Sequence, residues 1–157
     1  DNGDEARFTE YMQNEATLGL LHYRLLPLAR KELNLLDEQA QPGIHGVLGS
    51  SMGGLMALYT GLRAPEIFGH VVCQSGAFWF DDPHDMLIVD YVKHSPVAPL
   101  KIWQDVGTLE HLLPANRKMQ ALLNERGYHV TYREFSGGHN QTMWADNTWR
   151  GLEALYG

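Results

Sequence analysis

The chain has 157 residues, one cysteine, 44% apolar side chains and 12 Lys+Arg against 19 Asp+Glu, for a formal charge of −7. That length suits one domain able to bury roughly 70% of its unfolded surface, and the lone Cys73 leaves no intrachain disulfide and no cysteine pair for a zinc ribbon or iron–sulfur centre. The negative balance, with no Lys/Arg cluster to override it, argues against nucleic-acid and anionic-lipid partners.

The opening DNGDEARF has no Met, no basic stretch and no apolar run, so it reads as neither a natural start nor a signal peptide, and the chain is expected to be processed or excised. Leu18, Leu21, Leu25 and Leu28 fall on helical spacing and predict a helix from about Glu15 to Leu35, kinked at Pro27. Residues 39–62 lack Asp, Glu, Lys and Arg over a length that could cross a bilayer. Glycines, serines and His45 interrupt that stretch, so a membrane span is rejected. It reads instead as a strand, IHGVLG, a Gly/Ser turn and a helix, LMALYTGLR, that closes near Pro65. HVVCQSG and KIWQDVG predict two further strands. PANRKMQALLNERG predicts a helix with Pro114 in its first turn and Gly127 as its stop, VTYREF a last strand, and Thr142 to Leu155 a final helix. Strands alternating with helices, with apolar runs such as VVC, predict the α/β class: a parallel sheet with helices on both faces.

Within GSSMGG, Gly49, Ser51 and Gly53 satisfy G-x-S-x-G, the nucleophile elbow. A serine at the apex of a strand-to-helix turn needs strained backbone angles, and its neighbours two residues away come close together, which favours glycine at both. Ser51 Oγ would then stand at a helix N-terminus, where the helix dipole and the Met52 amide favour a developing oxyanion. A bland reading, a Gly-rich turn that only joins strand to helix, competes with this one. Serine needs a base, and His139 in SGGHN follows the last strand, with two glycines to permit a sharp loop. The other seven histidines lie in helices, beside strands or in connections and read as packed or solvated. The orienting acid is expected at the end of KIWQDVG, with two candidates. Asp105 lies inside the strand; Glu110 lies on the loop beyond it, with the reach to meet the imidazole, and is favoured.

Together GSSMGGLMALYTGLRAPEIFG, VCQSGAFWF and DVGTLEHLLPANRKMQALLNERGYHVTYREFSGGHN resemble the enterochelin- and feruloyl-esterase-like branch of the α/β-hydrolases, which also holds acetyl-xylan esterases, S-formylglutathione hydrolases and mycolyl transferases. By matching positions the resemblance implies Ser51 as nucleophile, Glu110 as acid and His139 as base, a carboxylic-ester substrate and no cofactor. It also makes DNGDEARFTEY similar to a loop that follows an earlier strand. The family places several strands and a helix before the segment that begins here, so residues 1–157 are expected to be the C-terminal portion of a single three-layer α/β-hydrolase domain lacking its N-terminal strands. One oxyanion donor of the fold comes from that earlier region. An open sheet edge is therefore expected, covered by further polypeptide or by a second copy.

Phe78, Trp79 and Phe80 follow a strand and should emerge at its carboxyl edge, as a stacking wall for an aromatic or sugar-linked ester or as anchors of a loop. Trp144, five residues past His139, is a further candidate for the same pocket. DDPHD at 81–85 offers metal-ligating side chains, yet such clusters are usually solvated and a serine hydrolase needs none, so none is expected. The first expectation is a serine carboxylic-ester hydrolase. The alternatives are a catalytically silent fragment or interaction domain, and an acyltransferase using the same triad.

Overall fold

Short apolar runs bounded by glycine form four parallel strands in the computed structural model, which describes residues 3–80 and 86–157. They are β1 (His45–Ser50), β2 (Phe68–Gln74), β3 (Lys101–Gly107) and β4 (His129–Phe135), ordered β1-β2-β3-β4. Every neighbouring pair is parallel, with Val71 opposite Ile102 and Val72 opposite Trp103 across β2 and β3. Parallel neighbours require crossovers. The helices are α1 (Gly3–Tyr11), α2 (Glu15–Leu20), α3 (Leu26–Glu32), α4 (Met52–Arg63), α5 (Leu87–His94), α6 (Leu113–Arg126) and α7 (Gln141–Tyr156), with a π-helical turn at Leu21–Leu25 joining α2 to α3.

Alternation along the strands sends side chains to two faces. On one, Val71, Cys73 and Ile102 pack with Leu55, Leu58 and Tyr59 of α4, Ile88 and Val89 of α5, and Met119 and Leu123 of α6. On the other, Val72 and Trp103 meet Leu155 of α7. The result is three layers with helices on both faces, as the strand composition predicts. A side chain like Leu55 or Ile88, wholly enclosed, contributes about 1.5–3 kcal/mol of transfer free energy. Among the described residues β1 pairs only with β2, and Leu48, Leu152 and Tyr156 lie exposed beside that open edge. No helix among them is long and apolar enough to cross a membrane.

Two local expectations need correction, and one helix was not foreseen. The helix expected over Glu15–Leu35 ends at Glu32 and contains the π turn, in which the Leu26 amide reaches back five residues to the Leu21 carbonyl. The wider turn sits immediately before Pro27, whose ring would clash with a regular α-helical carbonyl and which has no amide to donate. DNGDEARFTEY, expected as a loop, is mostly α1; Asn14 ends the connection by capping α2, its Oδ1 accepting from the Ala16 amide at 2.7 Å and from Thr17 at 3.3 Å. α5 carries too short an apolar pattern to stand out in the sequence, yet Ile88, Val89 and Val92 are buried.

Asp105, near the end of β3, is fully buried. The Trp103 indole donates to its Oδ2 at 3.1 Å. Burial nevertheless outweighs that bond and the charge of Arg133, and pushes the acid up to about 6 from its usual 3.8. Folding therefore favours the neutral form, a contribution fully present below the unfolded value and lost as pH rises through about 6. Asp105→Asn, which mimics the neutral acid, should flatten the fall in unfolding free energy between pH 5 and pH 8 by about 1 kcal/mol, the part of the two-unit shift that lies above pH 5. Denaturant melts of both proteins at the two pH values check this. Identical pH slopes would show that Asp105 is not held neutral.

Candidate active site

Ser51 occupies the sharp step between β1 and α4 with φ of 58° and ψ of −122°, a left-handed conformation that L-residues avoid. The strain is held by backbone bonds on both sides. The Ser51 amide donates to the Gln74 carbonyl at 2.9 Å, and the Ser51 carbonyl accepts from Ala77 at 3.0 Å and from Leu55 at 3.1 Å. The two motif glycines prove unequal. A Cβ on Gly49 would lie 2.0 Å from the Gly53 carbonyl oxygen, whereas a Cβ on Gly53 would meet nothing within 4 Å. The glycine that shares the crowding is Gly54, whose Cβ would press on Gln74 O at 3.0 Å and Cys73 Sγ at 3.2 Å. Close approach thus explains Gly49 and does not require Gly53.

His139 comes from the loop between β4 and α7. Its glycines are not in the left-handed region. Gly137 is needed for packing instead, since a Cβ there would strike Met143 Sδ and the Phe135 ring at 2.8 Å; Gly138 is unhindered. Asn140 fixes the start of α7, its side chain accepting from the Met143 amide at 3.1 Å. The acid loop is tied to this one, with Thr108 donating to Phe135 O at 2.8 Å and Leu109 to Gly137 O at 3.0 Å.

These loops bring three expected residues together. His139 Nε2 lies 3.0 Å from Ser51 Oγ, and His139 Nδ1 lies 2.7 Å from Glu110 Oε2. A carboxylate only accepts, so Nδ1 carries the proton and Nε2 is left to accept from the serine hydroxyl. The Glu110 side chain is wholly enclosed, and its Oε1 accepts from the Gly107 amide at 2.6 Å and from Ser75 Oγ at 2.8 Å. Asp105 is not in this chain of contacts. It lies within β3 and bonds Trp103, because the strand pleat turns it toward the indole. Met52 opens α4 directly after Ser51, where the first amides of a helix have no intrahelical acceptor.

An open cleft of about 580 Å³ lies over Ser51 and His139, with Arg7, Phe8, Met52, Asn140 and Trp144 in its wall. Trp144 is therefore at the pocket, its ring edge-on to His139 with centroids 4.8 Å apart. Phe78 and Trp79 are not. Phe78 is 1% exposed and belongs to the core, folded back over Gly76, where a Cβ would lie 2.5 Å from its ring. Phe80 packs half-buried against the same core, and Trp79 is surface-exposed away from the cleft. Phe78 thus follows the loop-anchoring alternative, its amide folding back onto the Gly76 carbonyl at 2.9 Å. Ser75, Arg7 and Phe8 escaped the sequence reading, although the SG after VVCQ is a turn signal. DDPHD lies outside the described residues.

Residues 1–153 match the Esterase family, described as "Putative esterase". The iron(III) enterobactin esterase of Escherichia coli K12 is 33% identical over 140 residues, covering 84% of this chain and 34% of that protein. The corresponding protein of Dickeya dadantii is 33% identical over 137 residues, covering 76% and 30%. The chain thus spans about a third of the length of these curated relatives. Among solved structures, the enterobactin esterase from Shigella flexneri in the presence of 2,3-dihydroxy-N-benzoyl-glycine superposes with a TM-score of 0.87 at 28% identity, over 99% of this chain and 42% of that one. A ferulic acid esterase shares the fold at a TM-score of 0.73 and 21% identity, over 87% of this chain and 60% of that one.

The unequal crowding at the elbow makes a direct test. Gly49→Ala should destabilise the protein by several kcal/mol or displace Ser51, because overpacked backbone cannot yield. Gly53→Ala should change stability by less than about 1 kcal/mol. Thermal melts of the two variants compare them, and equal losses would mean that both glycines are sterically required.

Proposed function

The chain belongs to the esterase family of the α/β-hydrolase superfamily, and from that premise we propose that it hydrolyses carboxylic esters through an acyl-enzyme on Ser51. The observation that carries this reading is the continuous hydrogen-bonded path from Ser51 Oγ through the His139 ring to Glu110. In the proposed cycle His139 Nε2 takes the serine proton as Oγ attacks the ester carbonyl. Glu110 holds the imidazole tautomer and balances the imidazolium. The tetrahedral oxyanion faces the Met52 amide and the N-terminus of α4, which supply positive potential without reorganisation. His139 then returns the proton to the departing alkoxide. Water, activated by the same imidazole, releases the acid and restores the serine.

For substrate we propose a catechol-bearing ester of the 2,3-dihydroxybenzoyl-serine type. Support comes from relatives named as iron(III) enterobactin esterases and from a cleft whose wall combines the aromatic rings of Phe8 and Trp144 with the Arg7 guanidinium. Aromatic faces suit a catechol ring, and a cation suits its acidic oxygens.

A fluorophosphonate probe tests the mechanism without a known substrate. Mass spectrometry should show one adduct on Ser51, absent in Ser51→Ala, and an unlabelled folded wild type would overturn the proposal. With an ester substrate, Ser51→Ala should lower turnover by on the order of 10⁶, and Glu110→Gln by about 10⁴. Asp105→Asn should leave turnover within a few-fold of wild type. A loss from Asp105→Asn equal to that from Glu110→Gln would remove Glu110 from the acid role. A dihydroxybenzoyl-serine ester should be cleaved with higher kcat/KM than an acetyl ester of the same alcohol; the reverse order would reject the substrate class.

A further inference from the structure

We propose that Ser75, backed by Trp144, is a positioning residue that locks the carboxylate of Glu110 in the orientation His139 requires. This inference rests on the hydrolase reading above. Ser75 stands one residue past β2, fully buried, with φ of 47°. Like Ser51 it is a non-glycine residue in the left-handed region, and strain of this kind persists only where the surroundings impose it. The Ser75 amide donates to the Asp105 carbonyl at 2.7 Å, continuing the β2–β3 ladder one residue beyond the strand. Immediately after it, the Gly76 carbonyl accepts from the buried Asn116 side chain at 2.9 Å, which ties the turn to α6.

The turn aims Ser75 Oγ at two partners. It lies 2.8 Å from Glu110 Oε1 and 3.0 Å from Trp144 Nε1. An indole N–H can only donate and a carboxylate can only accept, so the direction is forced: Trp144 donates to Ser75, and Ser75 donates to Glu110. With the Gly107 amide also on Oε1, that oxygen has two protein donors and Oε2 is left for the imidazole. Rotation of the carboxylate about its terminal bond would break all three contacts at once. Trp144 serves a second time, since the same ring stands edge-on to His139 and forms part of the cleft wall. Ser75 therefore joins the pocket wall to the acid.

A purely structural serine would satisfy the indole and do nothing more, and the two roles separate experimentally. Ser75→Ala and Ser75→Gly both delete the hydroxyl, but glycine relieves the positive φ and alanine retains it. The measurement is the rate at which a fluorophosphonate labels Ser51 in the full chain, alongside thermal melts and the downfield proton resonance of His139 Nδ1–H, identified by its loss in His139→Ala. Both variants should label more slowly than wild type by the same factor, on the order of ten- to a hundredfold as for outer-shell hydrogen-bond partners at other sites, although the glycine variant melts at the higher temperature. The Nδ1 proton should shift in both. Trp144→Phe should also slow labelling, and adding it to Ser75→Gly should cost less than the sum of the two, since one acts through the other. Wild-type labelling rates with an unmoved proton signal would overturn the proposal, and so would rates that rise and fall with melting temperature. If wild type itself fails to label, the hydrolase reading falls first, and an unmoved resonance in Ser75→Gly then rejects the positioning role as well.

Discussion

Four strands running the same way must end along one edge, and the site depends on that constraint. β1, β2, β3 and β4 finish at Ser50, Gln74, Gly107 and Phe135, and Ser51, Ser75, Glu110 and His139 all come from the segments that follow. The ladder also continues past the strands. Ser51 donates to Gln74, Ser75 to Asp105 and Thr108 to Phe135, each bond reaching the neighbouring strand or its end. The first residue of each of these loops thus leaves the sheet in register. Side chains scattered over 88 positions of sequence, from Ser51 to His139, can then meet at 3.0 Å. An antiparallel arrangement would have sent alternate loops to opposite edges.

Holding such a constellation has a local cost. Ser51 and Ser75 both adopt positive φ, at roughly 1–3 kcal/mol each. Both strained residues are pinned by backbone bonds, and both direct a hydroxyl to a partner in the same network. Glycine contributes elsewhere, where backbones nearly touch: a Cβ on Gly107 would collide with the Gly137 carbonyl at 2.3 Å and with Glu110 Oε1 at 2.7 Å. The acid loop can fold back on its own strand because that atom is missing.

The two neighbouring carboxylates show how environment divides roles. Asp105, inside the strand, is desolvated with one indole donor and is held toward its neutral form. Glu110, just as enclosed at its side chain, has the Gly107 amide, the Ser75 hydroxyl and the His139 ring around it. A buried anion needs hydrogen-bond donors. Glu110 has them and Asp105 largely does not, which makes the loop residue the one suited to carry negative charge beside an imidazolium.

Much of this was open to inspection in the amino-acid order alone. The alternation of apolar runs with helical spacing determined an α/β sheet, because burial on both faces leaves continuous apolar strands; KIWQDVG even matches β3 at both ends. G-x-S-x-G marked Ser51, because a strand-to-helix elbow needs a small residue at Gly49. Tertiary structure decided the rest. Whether Phe78 faced the pocket or the core turned on the turn at Gly76, whose carbonyl accepts from the Phe78 amide. Which of Asp105 and Glu110 lies beside His139 turned on the pleat, which aims Asp105 at Trp103 instead. Gly53 matched the motif without being sterically required, and Ser75 matched nothing while touching the acid. Spacing along a chain records local geometry, whereas these outcomes depend on contacts between residues far apart in sequence, which exist only once the strands have aligned.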